Sequence, residues 1–326
     1  MIDVLRARRR IAPHIRRTPL VRSTWLSDAA TASVSLKLES LQTSSSFKSR
    51  GAFNAVIARI ERAEGPPRRL VTASAGNHGR ALAAAAEAFR LPLVVFTPAE
   101  APKTKLDAIR RHGATLRAEG RDYDDAERMA KAFARETGAE FVSPYNDRDV
   151  VAGAATIALE LFEDAPDLDT LVVPIGGGGL IGGVAQTAKA IRPDVDVIGV
   201  EVEASCAFQT SVRAGRLVEI VPGETLADGL GGNPDPETIT FELIQRFVDR
   251  IVTVGEADLA AAVVGLVEHE HLVAEGAGAA ATAAIAGRRV GVEGRRVAAI
   301  VTGSNIDRAK LASLLGLRLP TAAGQP

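Results

Sequence analysis

Short runs of aliphatic and β-branched residues alternate along the chain with longer stretches whose apolar positions recur at helical spacing. The short runs predict strands at Val34–Leu38, Leu70–Ala73, Leu93–Thr97, Thr115–Ala118 and Glu140–Ser143, then at Thr170–Pro174, Val195–Val202, Arg250–Val254 and Arg296–Thr302. Between them the longer stretches predict helices at Phe47–Arg62, Gly76–Arg90, Lys105–Arg111, Tyr123–Thr137 and Val150–Phe162. Further helices are expected at Leu180–Ile191, Ala257–Glu268, Glu275–Ala286 and Arg308–Leu315, with Gly113 and Gly138 acting as stops. Strands that are apolar on both faces and alternate with helices indicate parallel sheets covered on each side, an α/β fold. The strand number suggests two such units rather than one barrel. Gly65–Pro67 and Pro222–Gly223 read as loops, and Thr321–Pro326 as a frayed tail.

Composition agrees with a globular protein. Of 326 residues, 46% are hydrophobic and 24% charged, which excludes a disordered chain. Lys and Arg number 39 against 40 Asp and Glu, so net charge gives no case for nucleic acid or an anionic membrane as partner. The most apolar stretches, such as Ala81–Ala86, are too short for a membrane span, and Met1–Arg17 is basic without the apolar core of a secretory signal. A single cysteine, Cys206, excludes an internal disulfide framework and suits a reducing cytoplasm, where the protein is expected. Only seven of the 39 basic residues are lysines. Chemistry that needs a deprotonatable amine therefore has few candidates.

Four segments could carry chemistry, and each ends or follows a predicted strand. Gly176-Gly177-Gly178-Gly179 stands between a strand and a helix. There its N–H groups can converge on an anion, with the helix dipole adding to the field. It is neither a Walker loop nor a good dinucleotide fingerprint, and tight helix–sheet packing is the plainer alternative. In Ser46-Phe47-Lys48-Ser49-Arg50-Gly51-Ala52 a lysine opens an apolar helix, where the positive dipole end disfavours its charge. That suits a Schiff-base amine; the alternative is a solvated lysine. Ser74-Ala75-Gly76-Asn77-His78-Gly79 offers N–H groups, a hydroxyl, an amide and an imidazole to a small anion such as a carboxylate. Thr302-Gly303-Ser304-Asn305 places hydroxyls and an amide after the last strand. Strand C-terminal ends are where open α/β sheets bind ligands, so one crevice can collect all four. A lysine, an anion cup, a carboxylate loop and a hydroxyl donor together meet the needs of pyridoxal phosphate. Clustered His and Cys ligands for a catalytic metal are missing from the sequence.

In this order the segments resemble fold-type II pyridoxal phosphate enzymes, in the serine/threonine dehydratase branch that includes serine racemase. The resemblance runs from Thr18-Pro19-Leu20 and Lys37-Leu38-Glu39 to Thr302–Asn305. It implies the two-domain architecture of the tryptophan synthase β type. The large cofactor domain would combine residues 1–60 and 146–318, the small mobile domain would be 61–145, and 319–326 a tail. It further implies that Lys48 carries the cofactor and later moves the Cα proton, that Phe47 packs on the ring, and that Asn77 bonds the phenolic oxygen. Gly176, Gly177, Gly178, Gly179 and Leu180 would hold the phosphate. Ser74, Ala75, Gly76 and His78 would line the substrate carboxylate pocket. Thr302 falls where the family usually has Ser facing the pyridine nitrogen. Glu275 and Asp228 match positions beside the cofactor and the substrate.

Three departures separate the relatives. Ala75 replaces a serine that lets serine racemase protonate the opposite face of Cα, so dehydration is favoured over racemisation. Glu201 matches one acid of a divalent-cation site, but Ala207 stands where a second acid is needed, so no metal is expected. The short stretch after Asn305 leaves no room for the regulatory domain of biosynthetic threonine dehydratases. The resulting expectation is a homodimeric ammonia-lyase turning L-threonine or L-serine into a 2-oxo acid and ammonia. Alternatives are dehydration of 3-hydroxyaspartate, with Arg50, Arg80 and Tyr145 near the pocket, serine racemisation, or a non-catalytic sensor of a phosphorylated ligand.

Overall fold

Among the described residues, 1–63 and 69–317 of a computed structural model, ten strands form two sheets. The Gly65–Pro67 loop, the domain boundary at 318 and the 319–326 tail lie outside the described residues. In chain order the strands are β1 (Leu20–Arg22), β2 (Ser33–Lys37), β3 (Leu70–Ala73), β4 (Leu93–Pro98) and β5 (Thr115–Gly120). They continue as β6 (Glu140–Phe141), β7 (Thr170–Pro174), β8 (Asp196–Val202), β9 (Arg250–Val254) and β10 (Arg296–Ile300). The helices are α1 (Ile2–Ile11), α2 (Thr24–Ala30), α3 (Lys48–Arg62), α4 (Asn77–Ala88), α5 (Lys103–Arg110), α6 (Tyr123–Thr137) and α7 (Arg148–Asp164). After them come α8 (Gly179–Ile191), α9 (Ala207–Ala214), α10 (Thr240–Phe247), α11 (Glu256–Glu270), α12 (Gly276–Ala286) and α13 (Arg308–Leu314).

The larger sheet has the order β1-β2-β10-β7-β8-β9 and the smaller β5-β4-β3-β6. Every pairing is parallel except β1 with β2. This is the α/β arrangement that the alternation of elements predicts. Strand β7 is buried at all five positions and β8 at six of seven. Strand β7 therefore reads as a nearly continuous apolar run rather than an alternating one, while β8 buries Glu201 among its apolar residues. Helix α12, almost wholly Ala and Gly, is buried on all sides because small side chains let the backbone lie close to the sheet.

The start of α3 is held with unusual tightness. A Cβ on Gly51 would lie 2.8 Å from the Val150 carbonyl oxygen, and one on Gly153 would lie 2.4 Å from the Arg50 carbonyl oxygen. Only glycine permits this approach of α3 to α7. Beside the crossing lies a buried ion network. Arg50 is fully buried and grips Glu39 with two nitrogens at 2.8 Å each, and Glu160 with two at 2.7 and 2.8 Å. Lys37, also fully buried, donates to Glu160 at 2.6 Å and to the Thr18 carbonyl at 2.7 Å.

The structure adds elements that the apolar pattern did not predict. Helix α1 buries only Val4, Ala7 and Ile11 beneath a strongly basic surface, and α9 and α10 span eight residues each. Strand β6 stops at Phe141 rather than Ser143, because the Ser143 hydroxyl turns to accept the Asn146 N–H at 3.0 Å. Strand β10 stops at Ile300 rather than Thr302. The Thr302 carbonyl leaves the ladder to accept the Phe47 N–H at 3.0 Å.

Candidate active site

Lys48 is the first residue of α3, and no side chain caps that helix end. Its neighbours are stitched to the segment after β10: Ser46 pairs with Gly303, and Ser304 N–H donates to the Ser45 carbonyl at 2.9 Å. Lys48 Nζ donates to the Pro144 carbonyl at 2.9 Å and lies 5.0 Å from the centre of the Phe47 ring. Burial disfavours its charged form and lowers its pKa to about 8, against the pull of Glu275, which favours the ammonium. Glu275 immediately precedes α12, itself buried, and is pushed up to about 7 by desolvation while the Asn77 amide draws it back. An amine and an acid thus lie within reach of each other's charge, each with its proton affinity moved toward neutrality.

Asn77 opens α4 after β3. Its amide nitrogen donates to Glu275 Oε1 at 2.5 Å. The preceding turn has Ser74 Oγ accepting the Gly76 N–H at 3.2 Å, with Ala75 and Gly76 half-buried and open. His78 is buried, with Nε2 3.3 Å from the Val142 carbonyl and Nδ1 without a partner. Burial and the nearby Lys48 charge hold its pKa down at about 3. It is a neutral orienting group near pH 7 rather than a strong base. Thr302 is buried and its hydroxyl donates to the Ala277 carbonyl at 3.3 Å.

The glycine loop follows β7. Pro144, which receives Lys48, is next to Tyr145, and the Tyr145 ring packs on this loop. A Cβ on Gly177 would fall 2.3 Å from that ring, and one on Gly176 2.8 Å from the Gly229 carbonyl oxygen. Gly178 adopts φ +82°, the left-handed region, and a Cβ there would meet Thr240 at 2.7 Å. No side chain caps α8, so its first N–H groups remain for an anion, while Leu180 is buried in the core behind. Thr240, whose hydroxyl donates to the Gly177 carbonyl at 2.9 Å, has no motif of its own in the sequence. The only trace is its place in the Thr-rich Glu237-Thr238-Ile239-Thr240 before a helix.

Lys48, Phe47, Asn77, Glu275, Thr302 and the glycine loop therefore converge. Asp228 stands apart: its exposed side chain pairs with Lys105 of α5, although its charge reaches Glu275 and raises that acid. A second tie between the sheets joins Lys131 of α6 to Asp235 at 2.7 Å, and the Asp235 N–H donates to Tyr145 Oη at 2.9 Å.

A family profile described as Pyridoxal-phosphate dependent enzyme matches residues 11–303. The chain belongs to this family. It is 41% identical over 305 residues to an L-threonine ammonia-lyase of Thermotoga maritima, covering 94% of this chain and 75% of that protein. Among solved structures it is similar to a T.th. threonine deaminase, with TM-score 0.86 and 34% identity over 94% of this chain and 98% of the other. It is also similar to maize serine racemase, with TM-score 0.89 and 30% identity over 97% and 96% of the two chains.

The residues present fit pyridoxal phosphate. A half-buried amine of lowered basicity, an uncapped helix behind glycines that exclude any Cβ, and a buried hydroxyl at Thr302 would provide the amine for its aldehyde, a phosphate cradle and a neutral partner for the ring nitrogen. Glu201, the one acid expected at a cation position, is buried and accepts the N–H groups of Phe208 and Gln209 at 2.8 and 2.7 Å. Ala207 beside it brings no ligand. Among the described residues no three His, Cys, Asp or Glu side chains gather in a metal-binding group, and no helix is long and apolar enough to cross a membrane.

Proposed function

We propose that the protein is an ammonia-lyase converting L-threonine or L-serine to a 2-oxo acid and ammonia. The observation that carries this is the Lys48 amine, its basicity lowered by burial to about 8, in the same crevice as an uncapped glycine-lined helix start. The names of its relatives support the same reaction. Bound pyridoxal phosphate supplies a carbonyl for the substrate amine and a conjugated sink for the electron pair left at Cα.

This chain's residues do the rest. Lys48 Nζ, freed from the Pro144 carbonyl, accepts the Cα proton and returns it to the departing hydroxyl. The N–H groups of Gly176 to Leu180 and the α8 dipole bind the phosphate. Ser74, the Ala75 and Gly76 amides and His78 orient the substrate carboxylate, His78 through its fixed neutral ring. Thr302 would meet the ring nitrogen by turning its hydroxyl hydrogen from the Ala277 carbonyl to that nitrogen, a neutral donor that leaves it unprotonated; the weaker electron sink would favour prompt loss of the β-hydroxyl. Racemisation needs a second acid on the far face of Cα, and the Ala75 methyl group cannot serve as one.

In this reading residues 61–145 form a small mobile domain that closes on a large domain of 1–60 and 146–318 and excludes water. The ties of Lys105 to Asp228 and of Lys131 to Asp235 would hold it shut. A cytoplasmic homodimer completes the proposal, supported by a lone cysteine and by exposed apolar side chains at Ile2, Leu5, Val21 and Leu41. Assay of 2-oxo acid formation from D- and L-hydroxy amino acids tests the reaction. Turnover of L-threonine or L-serine is expected; exclusive turnover of 3-hydroxyaspartate would replace the substrate assignment. Borohydride should fix the chromophore to the peptide containing Lys48.

A further inference from the structure

Arg80 lies on α4 one turn beyond Asn77, and the proposed reaction gives it no task. Its guanidinium donates to Asn305 Oδ1. The Asn305 amide nitrogen donates to Asn77 Oδ1 at 2.6 Å and to the Ser44 carbonyl at 3.0 Å. Asn77 then donates to Glu275 Oε1 at 2.5 Å. Four side chains form one chain across the seam, Arg80 and Asn77 from the smaller-sheet body, Asn305 and Glu275 from the larger.

An asparagine amide taken alone fits such a chain in either orientation, since it carries both donors and an acceptor. Arginine carries donors only. Asn305 must turn its oxygen to Arg80, which leaves its nitrogen for Asn77 and for the Ser44 carbonyl, a pure acceptor. Asn77 must then present oxygen to Asn305 and nitrogen to Glu275. Each junction inherits its direction from the one before. We propose that Arg80 is a positioning residue that polarises this chain and so makes Asn77 offer its NH2, never its oxygen, to the Glu275 carboxylate. The proposal rests on the reading that Asn77 and Glu275 border the cofactor. It also ties the seating of the small body to the proton on Glu275, because the chain is intact only when Arg80 and Asn305 meet. The other charges around Glu275 are Lys48 on α3, Lys105 on α5 and Asp228; Arg111 stands near Arg80.

Cofactor-loaded wild type, Arg80→Glu, Arg80→Met and Arg80→Lys are titrated, and the pH midpoint of the visible absorption change is read. Arg80→Glu puts an acceptor where the chain needs a donor. Its midpoint is expected to rise by about one pH unit, the worth of one charge-assisted hydrogen bond. Arg80→Met should shift it less, because Ser44 still holds Asn305, and the donor-only Arg80→Lys should restore the wild-type value. The Arg80→Glu shift should persist in high salt, which screens a mere through-space effect of the new charge; its disappearance there overturns the proposal. So does an unmoved midpoint in Arg80→Glu while Asn77→Ala shifts it. If Asn77→Ala also leaves the midpoint unmoved, the placement of Asn77 and Glu275 at the cofactor falls, and the chain's role with it. Thermal unfolding of each apoprotein checks that the variants are folded.

Discussion

Lys48 and Arg50 stand two residues apart on the first turn of α3, Arg50 fully buried and Lys48 half-buried in the crevice, and their surroundings drive them in opposite directions. Arg50 meets two carboxylates through four short hydrogen bonds, and its proton affinity rises despite burial. Lys48 meets one carbonyl and an acid at longer range, and its proton affinity falls. Burial alone therefore does not decide ionisation; the number and geometry of partners do. The Arg50 cluster holds the helix, and the neighbouring lysine, left under-partnered, stays reactive.

If this contrast holds, Lys48→Ala should cost about 10⁴-fold in turnover, roughly 5 kcal/mol, in steady-state assay. Its unfolding free energy in urea should not fall, since a poorly paired half-buried amine has been removed. Arg50→Met should do the reverse, destabilising by about 3–5 kcal/mol by leaving buried Glu39 without a cation, while Glu160 keeps Lys37. A urea midpoint equal to wild type would show that the network holds nothing. The pH dependence of apoprotein stability separates the two regions next. Glu275 has a folded pKa raised from 4.5 to about 7, so the folded state binds the extra proton and stability falls as pH rises through that window. Lys48 has a folded pKa lowered from 10.5 to about 8, so stability rises with pH across that upper window. Glu275→Gln should flatten the lower limb, a change of about 3 kcal/mol, in thermal melts taken across pH. Smallest is Gly177→Ala, which presses a methyl group on Tyr145 and should weaken cofactor binding by about 1–2 kcal/mol, measured by equilibrium dialysis.

Much of this was legible before any coordinates. Runs such as Thr170–Pro174 and Tyr123–Thr137 declare themselves because one is apolar from Leu171 onward and the other has a clear helical period ended by glycine. Helix α1 escaped because Val4, Ala7 and Ile11 are a thin stripe within an arginine-rich segment. The family motifs marked Lys48, Asn77 and the glycines. The contacts that tune them did not show: Pro144 acts through a carbonyl, Thr240 through one hydroxyl, and Arg80, expected near the pocket only as a partner for a substrate acid, finds Asn305 across 225 residues of sequence. Such pairings depend on where the chain returns, which no local pattern encodes.

The strand order has a consequence for synthesis. Strand β2 can pair early with β1, but its other edge pairs with β10, and Phe47 with Thr302, so that edge must wait until a late segment has left the ribosome. The strands of the smaller sheet, β3 to β6, form one uninterrupted stretch and can assemble while translation continues. The lysine-bearing turn is thus among the last parts of the molecule to be completed. A truncated nascent chain could fold its smaller sheet and still lack the seat for its cofactor.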